Sequence, residues 1–281
     1  MNEHIITPRL LADYVTELNA EEKSPATVQK YRRDCAAFAA WAEGQGICKD
    51  LVIHYKQRLI DRGYAPRSVN SMLAALNSLF AFAGWADCHT RVIRIQRPVF
   101  CREEKELSRE EYVRLVQEAE RRHNDRLSLI LQTLCSTGIR ISELPFITAE
   151  AVSAGETAVR CKGKVRTVFL PRALRHKLSA YLRRQGVTHG PVFVTRGGQP
   201  VSRTNVWREM KDLCRNARVL PDKVFPHNLR HLFARVFYQL EKDIAQLADI
   251  LGHSSINTTR LYIISTGAEH RRKVERMHLI L

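Results

Sequence analysis

Apolar residues recur at helical spacing along most of this chain, and alternation is confined to a few short stretches. Between residues 8 and 86 four segments carry the helical period. LLADYVTELNAEE is the first. ATVQKYRRDCAAFAAWAEGQG follows, with Val28, Tyr31, Cys35, Phe38 and Trp41 spaced toward a core, and Ser24 and Pro25 mark its start. DLVIHYKQRLIDRG ends at Gly63. The fourth begins after Pro66 and turns Met72, Leu76, Leu79, Phe80 and Phe82 inward. Residues 87–105 lose the period, and Pro98 with its neighbouring charges reads as a linker. The expected plan is a helical domain over 1–90, a linker over 91–105 and a second domain over 106–281, able to close around an elongated partner as a clamp.

The second domain opens with Ser108 and Glu111, a capping box for REEYVRLVQEAERR. RLSLILQTLCST is apolar enough to be central, and Gly138 breaks it. IRISELPFI begins a new element with Arg140 in or beside a helical first turn, where backbone N–H groups also face anions. TAVRCKGKVRTVFLP alternates and predicts a β-hairpin with Lys162, Gly163 and Lys164 at its turn. Helix resumes over 172–185, and PVFVTRGGQPVS predicts a short strand and a Gly-Gly turn. SRTNVWREMKDLCRNA places Val206, Met210, Leu213 and Ala217 on one face. From Pro226 a helix should bury Leu229, Leu232, Phe233, Val236, Phe237 and Leu240. DIAQLADILG stops at Gly252, and Ser255 can cap a last helix. The fold class is mainly α with a small β-sheet, α+β.

Charge narrows the function. The 281 residues hold 45 Lys and Arg against 29 Asp and Glu, a formal charge of +16 with pI near 9.9. Such an excess favours a polyanion, most simply nucleic acid. The seven cysteines (Cys35, Cys48, Cys88, Cys101, Cys135, Cys161, Cys214) are odd in number and form no C-x-x-C, so neither a zinc site nor a disulfide framework is expected. MNEHIITPRL lacks a signal-like apolar core and no run is long enough to span a bilayer, so a reducing cytoplasm and no membrane partner are expected. There is no G-x-x-x-x-G-K-[ST] loop for nucleotide hydrolysis and no carboxylate cluster for a two-metal nuclease; no cofactor or metal is expected.

The chemistry gathers in residues 226–264. His227, Arg230 and His231 share one helical face, His253 follows the Gly252 stop, and Tyr262 lies nine residues further on. Breaking a phosphodiester without metal or ATP needs a nucleophile, cations for the pentacoordinate dianion and a proton for the leaving oxygen. If the bond energy is to be kept for resealing, the nucleophile must become covalently attached.

H-x-L-R-H, L-G-H and T-T-x-x-Y, in that order, resemble the C-terminal box of tyrosine recombinases, the site-specific DNA integrases and Xer-type resolvases. T-G-x-R-x-S-E-L around Arg140 resembles the family's first arginine box. Ser24, Thr27, Tyr31 and Asp34 match the S-x-x-T-x-x-x-Y-x-x-D of its N-terminal domain. The resemblance runs from about residue 8 to residue 265. It implies a helical, SAM-like core-binding domain and a tyrosine-recombinase catalytic domain, in a simple Xer- or Cre-like plan without an arm-binding domain.

The same resemblance implies roles. Tyr262 would be the nucleophile, forming a 3′-phosphotyrosine and freeing a 5′-hydroxyl. Arg140 and Arg230 would clamp the phosphate, since the guanidinium fork spans two oxygens and keeps its charge. Lys162 would protonate the leaving oxygen, with Lys164 as rival because C-K-G-K-V-R is one residue shorter than the family's G-K-G-x-K-x-R. His227 would take or relay the tyrosine proton and His253 would bond a non-bridging oxygen. Glu143 would orient an arginine or a histidine, and His231 would be a structural neighbour. Lys30, Arg33, Arg203 and Arg208 are candidate DNA contacts. The implied partners are double-stranded DNA with a specific recombination site, a tetrameric synaptic complex of this chain with the apolar tail Met277–Leu281 docking on a neighbour, and a directionality factor or second recombinase. Integration, excision, inversion and resolution remain open outcomes. Two other readings compete. A non-enzymatic helix-turn-helix regulator would use IAQLADILGHSSINTTRLYI with Gly252 in the turn. A type IB topoisomerase-like relaxing activity would use related chemistry.

Overall fold

A computed structural model of the chain describes residues 4–95, 106–161, 164–195, 197–253, 255–263 and 275–276. It is mainly α-helical with one small two-stranded sheet. The chain divides into two compact units, Met1–Arg97 and Pro98–Leu281. That division falls within the expected linker, whose residues 96–105 lie outside the described ones.

The first unit holds α1 (Pro8–Ala20), α2 (Pro25–Ala42), α3 (Lys49–Asp61) and α4 (Pro66–Phe82). Proline in the first turn starts three of them. Thr7 and Ser24 add side-chain caps to Leu10 and Thr27 N–H at 3.1 and 3.3 Å. The Thr7–Pro8 pair also starts α1 earlier than its apolar period implies. Phe38 centres the core, meeting Tyr55 edge-on at 4.9 Å and Phe80 at 6.2 Å. Val28, Cys35, Leu76 and Leu79 are buried as their spacing predicts. Phe82 is not: it ends α4, is 38% exposed, and only leans on Tyr14 with ring centroids 5.5 Å apart.

The second unit begins with α5 (Arg109–Arg121), whose Ser108–Glu111 capping box is formed. α6 (Asp125–Thr137) is central, buried along Leu127–Leu131 and Leu134, and ends at Gly138 with φ +64°. Residues 141–146 form a 3-10 turn rather than an α-helix, with Arg140 as its extended N-cap. Pro145, with no N–H to donate, interrupts the backbone hydrogen bonding within this short element. α7 (Ala149–Ala154), between Thr148 and Gly155, is too short to show a period and was not expected. β1 (Glu156–Cys161) pairs antiparallel with β2 (Lys164–Phe169), setting Val159 opposite Arg166. The strand expected in PVFVTRGGQPVS reduces to isolated bridges at Pro191 and Pro200, neither of which can donate to a ladder.

α8 (Arg172–Gln185) and α9 (Arg203–Ala217) follow, the latter burying Val206, Met210, Leu213 and Ala217 as spaced. α10 (Pro226–Glu241), α11 (Ile244–Leu251) and α12 (Ile256–Ile263) complete the described helices of this unit. α10 buries only part of its apolar stripe. Leu229 and Leu232 join the main core, and Phe233 and Phe237 pack on a second cluster of Ala234, Leu247, Leu251 and Tyr262. Val236 and Leu240, expected inside, are exposed and belong to neither cluster, so the stripe outruns the elements packed on it. Among the described residues no helix is long and apolar enough to cross a membrane.

Candidate active site

Helix ends converge on Arg230. Its side chain is 1% exposed. Nη1 donates to the Gly138 carbonyl at the end of α6, and Nη2 to the Leu251 carbonyl at the end of α11, both at 2.6 Å. The last carbonyls of a helix lack intrahelical partners and carry partial negative charge, so a cation there is favourable. Gly138 and Gly252 make this convergence possible. Both have positive φ; a Cβ on the first would lie 2.5 Å from the Phe233 ring, and on the second 2.6 Å from Arg166 Cδ. Arg230 Nε is buried and meets no acceptor among the described residues. Burial, then Arg140, lowers the Arg230 pKa to about 10, which leaves it charged at neutral pH.

Arg140 stands beside it on the 3-10 turn. Its own N–H donates to Glu143 Oε2 at 2.8 Å and its Nη1 to Oε1 at 2.9 Å, while a third of the side chain stays exposed. Glu143 is 1% exposed and also accepts from Arg166 Nη2 at 2.6 Å. One buried carboxylate thus holds two guanidinium groups in place.

Three imidazoles surround Tyr262. His231, His253 and His227 have ring centroids 4.3, 5.3 and 5.5 Å from its ring. The phenol oxygen lies 3.4 Å from His227 Nε2. His253 accepts from Arg230 Nη2 on Nε2 at 3.0 Å, because arginine can only donate. Its proton therefore sits on Nδ1, which faces Thr259 Oγ1 at 2.8 Å. All three imidazoles are held neutral. Burial, then Arg230, takes His253 to about 4. Burial, then His227, takes His231 to about 3. His227 keeps an exposed edge, and partial burial followed by Arg230, Arg140 and Arg203 lowers it as well. A neutral His227 can accept the phenol proton.

The structure thus brings together Arg140, Glu143, His227, Arg230, His231, His253 and Tyr262. Lys162 lies outside the described residues, as does the side chain of Lys164, whose backbone pairs with Cys161 at the hairpin end. Arg203 and Arg208 are exposed on α9, Arg203 near enough to act on His227. In the other unit Arg33 is exposed, while Lys30 is engaged internally with Asp34 and, at 3.0 Å, the Ser71 carbonyl. The tail Met277–Leu281 lies outside the described residues. Sequence reasoning missed Arg166. Its signal was its register: it shares the inward positions of β2 with Val168, where an arginine needs a partner. Thr259, fully buried against His253, gave no comparable signal.

Two guanidinium groups beside a phenol and its proton acceptor make an arrangement chemically suited to bind a phosphodiester and offer it a tyrosine oxygen. Residues 105–269 match the phage integrase family, and residues 11–87 match the phage integrase N-terminal SAM-like domain. The chain belongs to the phage integrase family, the tyrosine recombinases, and is a tyrosine-type site-specific recombinase. It is 29% identical to tyrosine recombinase XerA of Pyrococcus furiosus, over 100% of this chain and 98% of that protein. Identity to XerA of Thermococcus kodakarensis is 30%, covering 95% of this chain and 94% of that protein. The fold is similar to a lambda integrase tetramer bound to a Holliday junction, with TM-score 0.75 and 17% identity over 93% of this chain and 78% of that one. It is also similar to XerH site-specific recombinase in a pre-cleavage complex with its difH substrate, with TM-score 0.69 and 17% identity over 98% of this chain and 90% of that one. A DNA-binding regulator would need α11 and α12 but neither the buried Arg230 nor the Arg140–Glu143–Arg166 group.

Proposed function

We propose that this recombinase exchanges strands at a specific double-stranded DNA site through a covalent bond between Tyr262 and the 3′-phosphate. The Tyr262 phenol, 3.4 Å from His227 Nε2 and beside the buried Arg230 guanidinium, carries the reading. The phenol oxygen attacks phosphorus while its proton passes to His227. Arg140 and Arg230 neutralise the non-bridging oxygens. The 5′-oxygen leaves with a proton from Lys162, with Lys164 as the alternative donor. An incoming 5′-hydroxyl reverses these steps and reseals the strand. His253 is engaged on both nitrogens here. To donate to a non-bridging oxygen from Nε2 it must be the other tautomer, its Nδ1 proton exchanged with solvent, and Thr259 can then turn its hydroxyl from acceptor to donor toward Nδ1.

Four copies on two duplexes would perform the exchange, in the cytoplasm, with a directionality factor or second recombinase setting the outcome. The fold's likeness to a tetramer on a junction supports this assembly. The test is covalent trapping. Wild type and Tyr262→Phe are expressed with the gene's own flanking DNA, lysed under denaturing conditions with a chelator, and DNA still attached to protein is sequenced. The expected result is an adduct at a discrete site in wild type alone. An adduct undiminished in Tyr262→Phe would refute the assignment.

A further inference from the structure

One cluster in the N-terminal unit has no part in this chemistry. His4, Asp87 and Cys88 bring an imidazole nitrogen, a carboxylate oxygen and a thiol sulfur within 4.8 Å of one another. His4 is fixed twice. Its carbonyl accepts from Ile47 N–H at 2.6 Å, and its ring stacks on Trp85 at 4.7 Å with an interplanar angle of 19°. This leaves Nε2 at 3.3 Å from Asp87 Oδ1. Asp87 and Cys88 follow Trp85 on the short 3-10 turn Ala86–Cys88. Cys88 is fully buried, and its thiol contacts the Ile47 carbonyl at 3.5 Å and interacts with the Asp87 carboxylate. Ile47 therefore touches both ends of the cluster.

We propose that His4, Asp87 and Cys88 form a three-ligand Zn²⁺ site, with water in the fourth position. One nitrogen, one oxygen and one sulfur suit zinc, whereas magnesium and calcium take oxygen donors. Zinc bonds of about 2.0–2.3 Å put tetrahedral donors roughly 3.3–3.8 Å apart. The His4–Asp87 pair already has that separation at 3.3 Å, and the Cys88 sulfur lies within 4.8 Å of both, a gap that metal binding would draw in. On binding, the Cys88 thiol proton leaves to solvent and a zinc–thiolate bond forms, so uptake tightens as pH rises. The ion would staple the start of the unit to the turn after α4. The absence of a C-x-x-C could not reveal this site, because His4 and Asp87 are 83 positions apart.

The test uses the full chain, stripped with a chelator, dialysed against Zn²⁺ and analysed for bound metal, with Co²⁺ as a spectroscopic stand-in. One equivalent of zinc and a thiolate-to-cobalt charge-transfer band are expected. His4→Ala and Asp87→Asn should each weaken zinc binding by more than about tenfold, and Cys88→Ser should remove the cobalt band. A variant lacking His227, His231 and His253 should keep both. No retained zinc, or zinc retained equally by the His4→Ala/Asp87→Asn double variant, would overturn the site. Neither result bears on the phosphotyrosine chemistry, which lies in the other unit.

Discussion

The two units bury polar groups to different ends. Among its described residues the N-terminal unit buries only Asp34 and Thr90, around a core of aliphatic and aromatic side chains, and Asp34 is answered by Lys30 and Arg33. The catalytic unit buries more polar groups, Glu106 and Glu118 among them, and gathers Glu143, Arg230 and Thr259 with the imidazoles. Taking an ion out of water costs several kcal/mol even after relaxation, roughly, and its partners recover it only with good geometry. A unit selected for shape alone has little reason to carry Arg230 inside. The contrast separates a scaffold that buries little charge from one that holds a guanidinium inside, where the proposed chemistry needs it.

The largest expected effect is from Arg230→Ala. Strand cleavage should fall about 10²–10³-fold through the lost phosphate contact. Stability should fall by about 1–3 kcal/mol because the carbonyls of Gly138 and Leu251 lose their donor. Cleavage of a nicked duplex and urea unfolding measure the two losses. If Asp34→Ala lowered cleavage at saturating DNA as much, the contrast between the units would fail.

Glycine substitutions sharpen the same contrast in stability. Gly44 and Gly138 both have positive φ, +77° and +64°, but a Cβ meets nothing within 4 Å at Gly44 and the Phe233 ring at 2.5 Å at Gly138. Gly44→Ala should cost about 1 kcal/mol from the backbone alone. Gly138→Ala should cost about 2–4 kcal/mol, because overpacking adds to it. Equal losses in urea titrations would mean the ring moves aside freely.

Acid should act on the catalytic unit through its imidazoles. The pKa values of His253 and His231 are lowered from 6.5 to about 4 and about 3. Between those values and 6.5 the unfolded chain binds more protons than the folded one. Stability from this source is therefore complete above about 6.5 and is lost as pH falls toward 4 and then 3. Urea midpoints from pH 7.5 to 4.5 should fall, and His231→Phe should flatten the dependence. An unchanged slope in that variant would remove His231 as a source.

The smallest effect is expected at Arg33, which is exposed and belongs to the N-terminal unit. Arg33→Ala should lower the salt slope of DNA binding by about 1 and leave cleavage at saturating DNA unchanged. A changed cleavage rate under saturation would tie the first unit to the chemistry.

Local signals made much of this fold legible. Ser24–Pro25, the Ser108–Glu111 box, Gly138 and Gly252 each act within one turn, so the elements they bound could be read directly from the chain. The spacing of His227, Arg230, His253 and Tyr262 was equally legible. What escaped depends on distant contacts. Arg166 reaches Glu143 only because the hairpin folds onto the 3-10 turn. Period gives the apolar face of α10 but not how far its neighbours extend, so Val236 and Leu240 were placed inside. Arg140 caps a helical turn, within the expected in-or-beside placement, but that the turn is 3-10 is not written in its local sequence.

The guanidinium of Arg230 ties together the ends of two helices, apart from the phosphate-binding role proposed for it. A protein of this design that drifted toward mere DNA binding would therefore lose its residues in a set order. Tyr262 could become phenylalanine early, since that change keeps the buried ring and removes only a hydroxyl and a reaction. Arg230 would persist long afterwards as the fastener between α6 and α11. In such a descendant the arginine would be a relic of catalysis kept for architecture, and its presence alone would be a poor sign of activity.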